Sequence, residues 1–250
     1  MTPTIAEQSA ADLGGEGSIL LRQRRDHAEL DRLMNAYLAA DTTETSDTTD
    51  AIDSYRERLW QDIVQLVFSH AFAEETVLWP VLRRVSPAGE DLTARVEEEH
   101  QAINDLLAQV EKADPDDPRR RAWIEDAFTL VRQDIRDEED ELLPRLRDAL
   151  GDRQLRRLGA AWEAVRRTAP TRPHPAVPRR PPGNAVLGVA LSGFDRLRDL
   201  ARARGPSARR AGLSAGVPVV AAGAAVLVWR AVVRRGTRCR RVAARPGSKR

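Results

Sequence analysis

The chain has 250 residues, and its 40 Lys+Arg and 38 Asp+Glu are unevenly placed. Residues 1–169 carry 22 basic against 36 acidic side chains, net −14, while residues 170–250 carry 18 against 2, net +16, which excludes one evenly mixed domain. A single cysteine, Cys239, excludes an internal disulfide and any Cys-based zinc site, and residues 1–17 show no basic segment followed by an apolar run, so no secretory signal is read and the acidic part is expected in the cytoplasm.

The acidic part reads as all-α. Leu, Ala, Glu, Arg and Gln dominate it, apolar residues recur at three and four, and alternating β-branched runs are missing. Residues 1–17 read as a disordered leader. Ser18 then caps a helix to about Ala40, with Leu20, Leu30, Leu33, Met34 and Tyr37 in a stripe that also holds His27. After the Thr/Asp/Glu/Ser run 41–50, a second helix places Leu59, Ile63, Leu66, His70, Glu74 and Val77 on one face and ends between Pro80 and Ser86. A third carries Val96, His100, Ile103 and Leu107 inward and closes at the Asp114–Pro118 turn. The fourth uses Ala127, Val131, Asp134, Glu138 and Leu142, with Gly151 as its C-terminal cap. Short turns between the helices predict an up-down-up-down four-helix bundle over residues 18–168, with a short fifth helix from Asp152.

The basic part reads as a string of segments. Residues 169–183 hold six prolines and form an extended linker. Residues 184–204 form an amphipathic helix with an Arg-rich face suited to anionic lipid. Residues 211–229 lack charge, and with their flank to 233 they make a candidate transmembrane helix before a basic tail at 234–250. The bundle is therefore expected to be tethered to a membrane through residues 184–233, although the tail also suits non-specific contacts to nucleic-acid phosphates.

Six ionisable residues fall on the inward stripes: His27, His70, Glu74, His100, Asp134 and Glu138. Burying them costs roughly several kcal/mol each unless they are paired, hydrogen-bonded or bound to metal. His70 and Glu74 are four apart, as are Asp134 and Glu138, so each pair shares a helix face and can grip an ion from one side. Counted from nearby turns at about 1.5 Å per residue, His27, Glu74, His100 and Asp134 lie at a similar height, roughly 20 Å in. A repeat at an offset of 64 aligns His70, Glu74, Glu75, Leu78 and Pro80 with Asp134, Glu138, Glu139, Leu142 and Pro144. It predicts equivalent ligand pairs on two hairpins, with each proline ending or kinking its helix beyond the site. Glu75 and Glu139, about 100° round from their neighbours, read as surface charges.

On these residues the chain resembles the hemerythrin-like family, also called the HHE cation-binding domain. The matches are His27, the His70/Glu74-Glu75 motif running to Pro80, the Glu97-Glu98-Glu99-His100 segment, and Glu138-Glu139 running to Pro144. The resemblance covers about residues 18–150. It implies a bundle holding two non-haem irons through His27, His70, Glu74, His100, Asp134 and Glu138, with Glu74 and Glu138 as bridges and oxygen, nitric oxide or peroxide as the small ligand. Two positions depart from the family pattern: Asp134 stands where a His is expected, and Asn104 stands where oxygen-carrying members have a second His. Manganese, or a single metal, is the alternative occupant, and a metal-free interaction bundle is the alternative function.

Overall fold

The computed structural model describes residues 4–40, 49–167 and 169. The linker, amphipathic helix, apolar run and basic tail expected after residue 169 lie outside the described residues. Helix α1 (Ile19–Ala40) pairs with α2 (Thr49–Ala73), which runs through a π-helical turn (Glu74–Leu78) into α3 (Trp79–Val85). The next helix, α4 (Gly89–Lys112), packs on α3 and pairs with α5 (Arg120–Asp137), which runs through a second π turn (Glu138–Leu142) into α6 (Leu143–Ala149). A fifth long helix, α7 (Asp152–Arg166), lies across α1, α2 and the first π turn. The described residues contain no strand, and the bundle is the all-α one that the periodicity predicts.

The ends of the elements have local causes. The Ser18 hydroxyl accepts the Leu20 N–H at 3.3 Å, satisfying one of the free donors at the start of α1. Gly151 is not the left-handed cap expected after the fourth helix. Its φ is −77°, and it starts α7 by donating its N–H to Gln154 Oε1 at 3.1 Å. Pro80 and Pro144 do not end their helices either. Each lies in the first turn of the segment after a π turn, and the N–H of Trp79 or Leu143 bonds the carbonyl five residues back, on Glu74 or Glu138. Proline has no N–H to give, and its ring presses on the carbonyl four residues back. A widened turn relieves that pressure, and the helix carries on for seven residues.

Residues 4–17 are not the disordered leader expected from their composition. Ile5 and Leu13 are fully buried, joining a core cluster with Ile19, Trp79, Leu146, Leu155 and Trp162. Polar bonds hold the segment as well: Thr4 donates to the Glu139 carbonyl at 3.2 Å and Arg156 to the Gly14 carbonyl at 2.7 Å. Against this segment α7 comes so close that a Cβ on Gly159 would lie 2.1 Å from the Gly17 carbonyl oxygen.

The apolar interior is divided in two. One cluster is built on α7, α3, α6 and the leader, the other on Tyr37, Trp60, Phe68, Leu107 and Phe128 toward the far end of the bundle. Between them lies a layer of buried polar side chains: Gln23, His27, His70, Glu74, Glu75, His100, Asn104, Asp134 and Glu138.

If the leader belongs to the fold, Leu13→Ala opens a cavity in its cluster and lowers unfolding stability by about 2–5 kcal/mol. Urea denaturation checks this; a loss below about 0.5 kcal/mol, the level of a neutral surface change, would show the leader to be dispensable.

Candidate metal centre

All six inward-facing ionisable residues of the sequence pattern meet in the polar layer. They fall into two groups whose donor atoms lie within 4.8 Å of one another: His27, His70, Glu74 and Glu138 in the first, His100, Asp134 and Glu138 in the second. In the first group His27 Nε2 is 3.2 Å from both His70 Nε2 and Glu138 Oε2, and His70 Nε2 is 3.3 Å from Glu74 Oε1. In the second, His100 Nε2 is 3.5 Å from Asp134 Oδ2, 3.6 Å from Glu74 Oε2 and 3.8 Å from Glu138 Oε1. Each glutamate thus turns one oxygen to each group. The two lie between the groups and are shared by them.

Several of these separations are too long for good hydrogen bonds. Two ligands at about 2.1 Å from a metal stand roughly 3.0 to 3.4 Å apart, which the first group's 3.2 and 3.3 Å match and the second group's 3.5 to 3.8 Å exceed by a few tenths of an ångström. Five buried side-chain atoms of these six residues have no hydrogen-bond partner among the described residues: His100 Nε2, Glu74 Oε2, Asp134 Oδ1 and both Glu138 oxygens. Native interiors rarely leave so many polar atoms together unsatisfied. Imidazole nitrogen with carboxylate oxygen is a donor set that fits a divalent or trivalent first-row metal.

The histidines are aimed by a second ring of carboxylates. His27 Nδ1 donates to Glu139 at 2.7 Å, His100 Nδ1 to Glu75 at 2.9 Å and His70 Nδ1 to Asp26 at 3.2 Å. A carboxylate only accepts, so each Nδ1 carries a proton, and Nε2, the nitrogen left to hold a metal once it gives up its own proton, faces the layer. Glu75 and Glu139 are therefore not the surface charges expected from the sequence; Glu75 is buried and Glu139 is 14% exposed. Each is the second residue of a π turn, which advances less per residue than the 100° of an α-helix and so keeps two successive glutamates on the inner side. The signal for this in the sequence is a double glutamate before a helix-interior proline, repeated at the same offset.

Asp26 carries no such signal in the sequence. It links His70 to α7, because Arg166 reaches its carboxylate at 3.2 Å while lying 5.1 Å over the Trp162 ring. Trp162 in turn meets His70 edge-on, with ring centroids 5.8 Å apart. Gln23 donates to Glu74 Oε1 at 2.5 Å and so holds one of the two shared carboxylates from α1.

Packing this much charge together moves the protonation equilibria. Burial pushes His27 down, but Glu138 and Glu139 outweigh it and hold the imidazole up at about 9. Burial likewise opposes the charged forms of His70 and His100, and the carboxylates around them raise both well above the ordinary range. Burial together with the neighbouring Glu138 charge pushes Glu74 up to about 7. Burial also raises Asp134. Glu138 goes the other way: burial pushes it up, yet its contacts with His100, His27 and His70 hold it well below the carboxylate range.

Comparison with known proteins agrees with this geometry. The family model described as the hemerythrin HHE cation binding domain matches residues 19–146, half of the chain, and the chain belongs to that family. An uncharacterized hemerythrin-like protein of Schizosaccharomyces pombe (strain 972) is 23% identical over 143 residues, covering 56% of this chain and 70% of that protein. No solved structure matches.

In metal-free protein the raised values of Glu74 and His27 have a measurable sign. Each folded value exceeds the unfolded one, so its contribution to stability is whole below the unfolded value and is lost as pH rises: from 4.5 to about 7 for Glu74, from 6.5 to about 9 for His27. Glu138, with a lowered value, contributes above 4.5 and loses that contribution on acidification. The thermal midpoint of chelator-treated protein should therefore be highest near about pH 5 and fall toward about pH 9. Calorimetry at stepped pH checks this, and a midpoint that climbs over that interval contradicts it.

Proposed function

We propose that this member of the hemerythrin HHE cation-binding family holds two iron ions in its polar layer and uses them to bind or sense a small oxidant or nitric oxide. The observation that carries the reading is the placement of Glu74 and Glu138, each with one oxygen toward the His27–His70 group and one toward the His100–Asp134 group. Two carboxylates so placed can serve two cations at once.

In this reading His27 and His70 hold one ion, His100 and Asp134 the other, and Glu74 and Glu138 are shared. Bound iron supplies an exchangeable coordination position and a ferrous–ferric couple. The protein's own groups do the rest. Glu75, Glu139 and Asp26 keep the three imidazoles in the Nδ1–H form and make Nε2 more basic. Binding two cations displaces the protons that His27, His70, His100 and Glu74 retain, so uptake is favoured by rising pH. The apolar clusters on either side exclude bulk water from the layer. Asp134 in place of histidine makes the donor set richer in oxygen, which favours the ferric state and works against reversible oxygen carriage.

Attachment to a membrane belongs to the same proposal and rests on the sequence of residues 184–233. Among the described residues no helix is long and apolar enough to cross a membrane. Co-sedimentation of the full chain with anionic vesicles, set beside a chain ending at residue 169, tests this part, and equal recovery of the two removes it.

Iron-reconstituted wild-type protein should carry two iron equivalents per chain by elemental analysis, one for each donor group. Since both groups use Glu138, Glu138→Ala should lose more than half of the metal, and a variant with wild-type content would remove the proposal. Glu75→Gln keeps the shape but weakens the hold on His100, which should lower metal affinity by about 10–100-fold in competition with a chelator. Asp134→His restores the family's usual donor and should raise it.

A further inference from the structure

Asn104 has no part in the donor set, although it stands in the polar layer one turn beyond His100 on α4. It is 1% exposed, and neither Nδ2 nor Oδ1 has a hydrogen-bond partner among the described residues. A buried amide with both ends unpaired is rare enough in native interiors to need a reason. The side chain lines a cavity of about 20 Å³ together with His70, His100 and Asp134. The rest of the wall is apolar, including Leu30, Val67, Phe68, Ile103 and Val131. Asp134 Oδ1, also unpaired, belongs to another residue of this wall.

Size and polarity narrow what the cavity takes. One water needs about 10–15 Å³ on this measure, so the space admits a water or a two-atom molecule and no organic substrate. The apolar wall and the nearby Asp134 and Glu138 carboxylates disfavour an anion. The cavity also has a side: it touches both residues particular to the second donor group, His100 and Asp134, but of the first group only His70, and not His27.

We infer that this cavity is a pocket for an uncharged diatomic molecule on the His100–Asp134 side of the centre, and that Asn104 Nδ2 positions the molecule by donating a hydrogen bond to it. The inference rests on the two-metal reading above and adds where the small ligand sits and which side chain orients it. At this position an imidazole would have reached toward the ion as another donor. The shorter amide leaves that space open and faces it with an N–H. A departure from the family pattern that looks in the sequence like a lost ligand is then the feature that makes room for one.

Nitric oxide is the probe for the iron-loaded protein. Its release from the reduced form, followed by absorbance, should be about tenfold faster in Asn104→Leu, the effect of one hydrogen bond, with iron content unchanged. The metal-free variant should melt no lower than wild type, because a buried amide without a partner has been removed. Release within about twofold of wild type overturns the inference. If Asn104→Leu does not fold, Asn104→Ala, which only deletes, takes its place.

A second arm does not depend on metal. Xenon applied to the metal-free full chain should shift the Asn104 side-chain amide resonances, and Val131→Phe, which fills the cavity, should abolish the shift. No shift in wild type overturns the pocket, as would a permanently trapped water that xenon leaves undisturbed. A chain that takes up no iron removes the two-metal reading instead, and the xenon result then decides the pocket alone.

Discussion

Everything in this bundle is arranged around the cost of burying charge. Three imidazoles and three carboxylates meet at the centre of a helical core, where an unpaired ion is worth several times what it costs at the surface. The protein meets that cost partly by mutual neutralisation and partly by a second ring of Asp26, Glu75 and Glu139, which binds the outer nitrogen of each histidine. What neither ring satisfies is a set of inward-facing oxygens and one ring nitrogen, all within reach of a cation. The division of the apolar core into two clusters follows from the same layer, since no hydrophobic contact can be continued through it.

The two π turns connect this electrostatic arrangement to the backbone. Each begins at a glutamate shared by the two donor groups and precedes a proline, so one irregularity lets the helix pass the proline and lets two neighbouring glutamates face the interior. An ordinary α-helix would have carried the second glutamate about 100° away, leaving His27 and His100 without their Nδ1 partners. The aim of the imidazoles and the tolerance of proline therefore have one cause. Its presence at the same place in both hairpins matches the sequence repeat at offset 64.

The six inward residues are legible in the sequence because their helices are long and strongly periodic, and a His or Glu on an apolar stripe has to point inward. The outer carboxylates are not. Glu75 and Glu139 depend on a change in helical pitch that periodicity at 3.6 does not represent, and Asp26 sits one residue off the stripe of α1, reached by an Arg more than a hundred positions away. The leader is hidden for a different reason. Its glycines and small polar residues look disordered by composition, yet Gly14, at φ +87°, lets the chain turn so that Leu13 enters the core. Two buried apolar residues decide the fate of that segment, and an average over seventeen does not reveal them.

Helix α7 bears on what should be regarded as the unit of this protein. The family match ends at residue 146, yet Arg166 grips the carboxylate that aims His70, and Trp162 stands against the same ring. The segment by which the chain is recognised is thus smaller than the segment that shapes its centre. A piece cut at the family boundary would keep all six inner residues and lose a wall of the chamber that contains them. Inheritance supplies the donor set, and a flanking helix outside the inherited segment supplies part of its setting, so two members alike in every donor can differ in chemistry through a helix that their alignment does not include.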